Sequence, residues 1–395
     1  MGRGGAPVGL HRSTRAALGA VVVLAAVAAA ACSGSGGEVS SATDGAGDAT
    51  SATAGPTTTE TPTTLDRPLR SFTVLTTGDF LLHMPVQRKA MAYGGGSYNF
   101  SPMLAEVAGE VSAADLAICH METPLSSNDT NLSGYPIFNS PREIADAAAA
   151  AGYDTCSTGS NHALDQGATG VASTLDQLDR VGLGHAGTAR SAQEAASPDL
   201  HDVNGVKVAH LDFTYGTNGI PVPAGQPWLV NVIDLDRILA DAHAAKAAGA
   251  EVVVVEMHWG IENQSAPTPE QRLEAGVLAD SPDIDLIIGQ HVHVVQPAER
   301  HGTKYVVYGT GNFLSNQGPP ATPTASNDGV IVTVRFDEQP DGSWAQSLRY
   351  TPTYVDRSTY VIHRATPTTN PQSYRRTVDA MNGLGPGTFD GVPTS

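Results

Sequence analysis

Two runs in the second half of this chain, Val252-Val253-Val254-Val255 and Ile284-Asp285-Leu286-Ile287-Ile288, are short and almost wholly apolar. Such runs have no polar face to turn to water, so they read as strands of a largely parallel sheet covered on both sides. Strand-like runs recur at Ser71–Thr77, Asp115–Cys119, Tyr153–Ser157, Val206–Phe213 and Tyr305–Tyr308. Between them fall helical spacings: Pro102 to Ala113, Pro141 to Ala151, a stretch with Val171, Leu175, Leu178 and Val181 on one face, Asp234 to Ala248, and Glu270 to Leu278. Gly152 stands where a helix ending at Ala151 needs a left-handed residue. Strands alternating with helices imply βαβ units. Beyond Gly329 the pattern changes. Val330 to Phe336, Ser347 to Tyr350 and Tyr354 to Tyr360 read as strands joined by turns, expected as an antiparallel edge.

In open α/β sheets ligands gather at the carboxyl ends of the strands. In this chain those ends are polar in a particular way. Asp79 and His83 follow the first strand, Glu122 the second, Asn161-His162 the third and His258 the Val252 strand. Gly289-Gln290-His291-Val292-His293 follows the Ile284 run, with glycine expected to turn the chain. If that loop stays extended, its two imidazoles point the same way, as neighbouring ligands must. Neutral imidazole is the commonest metal-binding side chain at physiological pH. A mixed oxygen and nitrogen set without thiolate suits Mn, Fe or Zn.

Each residue has a plainer reading when taken alone. Asp79 after Gly78 fits a turn, Glu122 before Pro124 a solvated loop acid, Asn161 a helix cap and His258 beside Trp259 a packed histidine. Their recurrence at successive strand ends favours one site. His185, His201, His210 and His243 lack such context, and Asn312 reads as a turn former. His120, next to the site in sequence, fits a substrate or ligand contact and a structural role equally.

The formal net charge of −18 argues against nucleic acid as a partner. At the N-terminus, Arg3, Arg12 and Arg15 precede an apolar run from Ala17 to Ala31, which is short for a membrane span. It ends Ala29-Ala30-Ala31-Cys32, which resembles a bacterial lipoprotein signal, although that pattern usually has Leu where Ala29 stands. Residues 1–32 are therefore expected to be a signal peptide ending at a lipidated Cys32, placing the protein outside the cytoplasm on the cell membrane. Residues 33–70, rich in Gly, Ser, Thr, Ala and Pro, read as a disordered tether. The folded domain is expected over 71–364, with its β-rich part from about 329 and a loosely ordered tail over 365–395. Cys119 and Cys156 lie near the ends of expected strands and could be neighbours, so a disulfide is possible in an exported protein. Two buried free thiols is the plainer reading, and the count is too small for a disulfide framework.

One carboxylate on each early strand, an Asn-His pair and then three histidines is the order seen in calcineurin-like metallophosphoesterases. More closely, Gly78-Asp79-Phe80-Leu81-Leu82-His83, Met121-Glu122-Thr123-Pro124, Asn161-His162-Ala163-Leu164-Asp165-Gln166-Gly167, His258-Trp259-Gly260, His291-Val292-His293-Val294-Val295-Gln296-Pro297 and Tyr308-Gly309-Thr310-Gly311-Asn312-Phe313 resemble the CapA family. That family is associated with poly-γ-glutamate capsule synthesis and belongs to the same superfamily. The resemblance runs from about Phe72 to Gln317. The chain departs from the pattern at His120, where Asn is usual, and at Gln290, where His is usual. His83 also lies four residues after Asp79 instead of two.

The resemblance implies an α/β sandwich of two mixed β-sheets flanked by helices. It implies two divalent transition-metal ions held by Asp79, His83, Glu122, Asn161, His258, His291 and His293, with Glu122 placed to bridge them. It also implies that His162 donates a proton to the leaving group, with Asp165 orienting it. The expected function is a lipid-anchored, dinuclear metal-dependent hydrolase of phosphoester or related bonds, acting on an anionic substrate or an acidic polymer such as poly-γ-glutamate. The rival expectation is a non-catalytic envelope component that assists synthesis, export or anchoring of such a polymer. A third is cleavage of the polymer's γ-amide.

Overall fold

The structure, a computed structural model, describes residues 67–394. The signal-type segment and the tether to residue 66 lie outside the described residues. In chain order the strands are β1 (Ser71–Phe80), β2 (Leu116–His120), β3 (Thr155–Ser157), β4 (Gly184–Ala186), β5 (Asp199–Val203), β6 (Val206–Thr214), β7 (Val252–His258) and β8 (Leu286–Gln290). They continue with β9 (Ala298–His301), β10 (Lys304–Val307), β11 (Asn312–Leu314), β12 (Asp328–Glu338), β13 (Trp344–Asp356), β14 (Val361–Arg364) and β15 (Val392–Pro393). The helices are α1 (Met84–Tyr93), α2 (Ser101–Leu104), α3 (Ala108–Val111), α4 (Glu143–Ala151), α5 (Gly167–Val181), α6 (Ala192–Ala195), α7 (Leu235–Ala247), α8 (Pro269–Asp280) and α9 (Pro371–Met381).

Two mixed sheets result. The first runs β14-β13-β12-β1-β2-β3-β4, with β11 beside β1 and β15 beside β13. The second runs β5-β6-β7-β8-β10-β9. Each has a parallel centre, β1 to β4 in one and β6, β7, β8 and β10 in the other, with antiparallel strands at the margin. The α/β sandwich of two mixed sheets expected from the sequence is what forms.

Strand alternation sets the layers. Phe72, Val74, Leu116 and Ile118 of the first sheet meet Val208, Val254, Leu286 and Ile288 of the second in one buried cluster. Their neighbours Leu75, Ala117 and Cys119 turn outward to α1 through α5. Val253 and Val255 turn outward to Ile238 and Ala242 of α7 and Leu278 of α8. Each buried Val, Leu, Ile or Phe among them contributes roughly 1.5–3 kcal/mol.

The inward faces change character along the strands. Stepping by two residues toward the carboxyl end, Val74 gives way to Thr76, Ile118 to His120, Val208 to His210 and Asp212, Val254 to Glu256 and His258, and Ile288 to Gln290. All of these polar residues are buried. One pole of the sandwich is apolar, and the other is built to hold polar chemistry.

Several expectations are corrected. Gly289 lies inside β8 and does not turn the chain. A Cβ there would lie 1.9 Å from the Tyr308 carbonyl oxygen, so glycine is needed for close approach. The stretch read as a tail, 365–395, carries α9, whose Met381 joins the inter-sheet cluster, and β15, which pairs with β13. Arg376 of α9 binds the buried Asp328 at 2.7 Å. The strand expected over Tyr354–Tyr360 is instead the end of β13 followed by a turn that leads into β14. The helix expected over Pro102–Ala113 breaks into α2 and α3.

Cys119 and Cys156 are joined as a disulfide, because the β2–β3 register sets them directly opposite with Cα atoms 4.4 Å apart. At the apolar pole Arg70 reaches Glu338 of β12 (3.1 Å) and Glu251 just before β7 (2.8 Å), and Arg67 also pairs with Glu338. Arg67 to Arg70, read as the end of the tether, thus belong to the folded domain.

Candidate metal centre

The polar pole collects side chains from the ends of five strands. Asp79 is the penultimate residue of β1, register-paired with His120 at the end of β2 and with Asn312 at the start of β11. Glu122 follows β2, Asn161 and His162 sit in the turn after β3, His258 ends β7, and His291 and His293 follow β8. None of these is more than 5% exposed, so bulk water cannot serve as their partner.

Asp79 Oδ2 lies 2.9 Å from His293 Nδ1, and Asp79 Oδ1 accepts the His291 backbone N–H at 3.3 Å. Glu122 Oε1 is 3.7 Å from His293 Nε2, and Asp79 Oδ1 is 3.9 Å from His120 Nε2. Asn161 Oδ1 is 3.0 Å from His258 Nε2, and His258 Nδ1 is 2.9 Å from His120 Nε2. Three sets of donor atoms fall within 4.8 Å of one another: Asp79, His120 and His258; Asp79, Glu122 and His293; and Glu262, His291 and His293. The first two share Asp79, and the last two share His293.

His291 and His293 are not extended as the sequence reading supposed. Their φ values are +85° and +56°, in the left-handed region that non-glycine residues avoid. Such conformations cost of order 1–3 kcal/mol each and cluster at functional sites. Their rings still converge, with centroids 5.9 Å apart.

Charge in the cluster is finely set. Burial pushes the Glu122 carboxyl well above its usual range, partly offset by His293 and reinforced by Asp79. Burial also works on Asp79, but the His293 hydrogen bond and the charges of His293 and His120 outweigh it and hold Asp79 below its usual range. For His293 burial is overcome by Glu122 and Asp79, and its pKa rises to about 9. Burial drives His291 down to about 3 and His258 well below its usual value, so both imidazoles are neutral and their lone pairs are free for a metal.

A divalent ion fits this set. Both carboxylate oxygens of the fully buried Glu122, and Nδ1 of His291, have no hydrogen-bond partner. Buried polar atoms are nearly always paired, so these unpartnered atoms are the ones a metal ion would satisfy. Asp79, Glu122, Asn161, His258, His291 and His293 are the residues that would hold metal, with His120 and Glu262 within reach.

His83 stands apart. It occupies the N-cap position of α1 without a side-chain capping hydrogen bond, turns its Nδ1 toward Leu81 O at 3.1 Å, and joins none of the donor groups among the described residues. The two extra residues after Asp79 carry it past the strand end and into the helix cap. Gln290 also stays out of the cleft, donating to Thr77 O at 3.1 Å between the sheets.

Beside the cluster, His162 Nδ1 is 2.8 Å from Asp165 Oδ2, which also accepts the Phe138 N–H at 2.7 Å. The carboxylate fixes the proton on Nδ1 and leaves Nε2 as the other working nitrogen. Phe138 packs edge-on against the ring, centroids 4.7 Å apart. The turn itself is pinned from the opposite sheet. The buried Asp212 accepts the N–H groups of Thr158 (3.0 Å) and Gly159 (2.5 Å). Ser160 Oγ donates to Glu122 O at 2.6 Å and accepts the His162 N–H at 3.1 Å, coupling the two loops.

Sequence reasoning left out Asp212, Glu262, Tyr215 and Asn218, all near this cleft. Tyr215 and Asn218 follow the carboxyl end of β6, so the strand-end rule had the signal to find them. His210, given no role, is a buried cation between Asp199 (3.4 Å) and Glu256 (3.8 Å), which outweigh burial and raise it to about 10.

A family model described as "Bacterial capsule synthesis protein PGA_cap" matches residues 73–317. The PGA biosynthesis protein CapA of Bacillus subtilis (strain 168) is 30% identical over 217 residues, 54% of this chain and 52% of that protein. The capsule biosynthesis protein CapA of Bacillus anthracis is 30% identical over 179 residues, 45% of this chain and 43% of that protein. The chain thus spans about half the length of these curated relatives. Among solved structures, the calcineurin-like phosphoesterase YfkN from Bacillus subtilis is 19% identical, with a TM-score of 0.41, covering 79% of this chain and 99% of that one. The motifs read from the sequence all fall inside the matched residues, and the protein belongs to the bacterial capsule synthesis protein PGA_cap family.

Proposed function

We propose that this protein is an exported, lipid-anchored hydrolase of phosphoester or related bonds that uses two divalent metal ions in capsule or poly-γ-glutamate metabolism. The observation that carries the reading is the buried Glu122 carboxylate, both oxygens unpartnered, among the donors of Asp79, His258, His291 and His293. When bound, such ions polarise an anionic centre and lower the pKa of a shared water. The chain's own residues supply the rest. His162 faces the cleft with Nδ1 held by Asp165, so its Nε2–H can go to the leaving oxygen while the carboxylate stabilises the imidazolium beforehand. The burial of Asp79 and Glu122 keeps bulk water from the carboxylates.

The lipid anchor rests on the small-residue run into Cys32. No helix of the described residues is long and apolar enough to cross a membrane. A second reading, a non-catalytic component assisting an acidic capsular polymer, draws on the similarity to a capsule biosynthesis protein and a PGA biosynthesis protein.

His162→Ala separates the readings. It should leave metal content and thermal stability near wild type yet lower alkyl phosphoester hydrolysis by about a hundred- to ten-thousand-fold. The loss should shrink for nitrophenyl esters, whose leaving group needs no proton. Equal rates on both ester types for variant and wild type would remove His162 from the chemistry. A metal-loaded wild type that hydrolyses neither would favour the second reading.

A further inference from the structure

The loop after β6 closes one side of the metal cleft, and nothing above gives it work to do. Its first residue, Tyr215, donates its backbone N–H to the carbonyl of His258 at 2.9 Å. Its ring lies over His291, centroids 4.6 Å apart. Three residues on, Asn218 adopts φ +50° and is followed by Gly219 at +78°. Asparagine is among the few side chains that accept this region readily. The tight turn leaves Asn218 exposed at the rim while its amide reaches inward. Asn218 Oδ1 accepts from Asn161 Nδ2 at 3.2 Å. Its own Nδ2 touches His162 Nδ1 at 3.4 Å, but that nitrogen's proton is already committed to Asp165.

A side-chain amide has a donor end and an acceptor end of nearly the same shape, so something must decide which way Asn161 points. An acceptor on one side and the histidine cluster on the other decide it. With Nδ2 engaged by Asn218, Asn161 turns Oδ1 toward His258, 3.0 Å away. That oxygen is the atom a metal ion takes. If Asn161 were free to rotate, it would offer the ion an NH2 group part of the time, and an NH2 group is no ligand.

We propose that Asn218 is the positioning residue of the centre, fixing the Asn161 amide with its oxygen toward the metal. The proposal rests on the metal-centre reading above and adds a residue to it. Asn218 acts through Asn161 and touches no reacting atom itself.

The test is a Mn²⁺ titration of the full-length chain in detergent, compared with Asn218→Gly, Asn161→Ala and the double variant. Glycine suits the backbone at this position, so Asn218→Gly removes the side chain without straining the turn. It should weaken one of two Mn²⁺ ions by about tenfold, the low end for loss of a ligand-orienting partner, and leave the other unchanged. The melting temperature of the metal-free protein should not move. In the Asn161→Ala background, Asn218→Gly should have no further effect on Mn²⁺ affinity, because the amide it orients is gone. Wild-type affinity for both ions in Asn218→Gly would overturn the proposal, and so would an equal further loss in the Asn161→Ala background. If wild type takes up no Mn²⁺ at all, the metal-centre reading fails first and the proposal falls with it.

Discussion

Gly78→Ala should damage the site through the backbone, without touching a ligand. Gly78 lies within β1, just before Asp79, and β11 crosses close beside it. A Cβ there would sit 1.9 Å from the Gly311 carbonyl oxygen, against an ordinary contact of about 3.4 Å, so the strands must part by about 1.5 Å. The Gly311 oxygen accepts the Asp79 N–H at 3.0 Å, and Asp79 in turn holds His293 and the His291 backbone. Overpacking costs about 1–3 kcal/mol, and the strained or broken hydrogen bond adds about 1 kcal/mol. A loss of roughly 3 kcal/mol from a domain of about 330 residues lowers the melting temperature by about 4 °C. Displacing Asp79 by an ångström should also reduce metal content and hydrolysis, the latter by about a hundredfold. Scanning calorimetry and metal analysis of one preparation read both effects. Gly109→Ala in α3, where a Cβ meets nothing within 4 Å, is the control and should be neutral or slightly stabilising. A Gly78→Ala protein melting within about 1 °C of wild type with full metal content would refute the steric argument.

Three further outcomes are expected. His83, mostly buried, has its pKa pushed down to about 4 by burial. The unfolded chain therefore takes up a proton below about pH 6.5 that the folded one refuses, and by pH 5 the metal-free domain loses about 2 kcal/mol from this group. Urea titrations at pH 7 and pH 5 should show that slope reduced in His83→Gln, and an unchanged slope would contradict the burial argument. Cys32→Ala should release the protein into the medium or leave an unprocessed precursor, whereas unchanged mature mass and membrane association would contradict lipidation. Thiol titration of the unfolded, unreduced protein should find neither Cys119 nor Cys156 reactive, and two reactive thiols there would contradict the pairing.

The parallel centre of the second sheet was legible because Val252–Val255 and the Ile284 run fit only between covering layers, and that of the first from its alternation of strands with helices. The site was legible for a related reason: period-two alternation carries polar residues onto the inward face near strand ends, where His258 stands and Glu122 follows, whereas Asp79 is out of phase with Thr76 and lies beyond a register irregularity in β1. What escaped was decided by contacts distant in sequence. Gly78 and Gly289 look like turn residues until Gly311 and Tyr308 are packed against them. Helix α9 hid beneath a polar composition, although Asn370-Pro371 is a cap followed by proline at the first helical position, and the four-residue spacing of Ser373, Thr377 and Met381 marks its buried face. His83 was misled by motif order, since no spacing rule says that two added residues turn a strand end into a helix cap. Asn218 lay outside every motif, and its role depends on an amide 57 residues away in sequence.

The central claim is that Glu122 and its neighbours form a metal centre, and elemental analysis tests it most directly. The folded domain, purified, stripped and reconstituted separately with Mn, Fe and Zn, should retain about two ions per chain of at least one of them. His291→Ala and His293→Ala should each lower that content, and Glu122→Ala should lose most of it. A wild-type domain that is folded by circular dichroism yet retains none of the three metals would contradict the account.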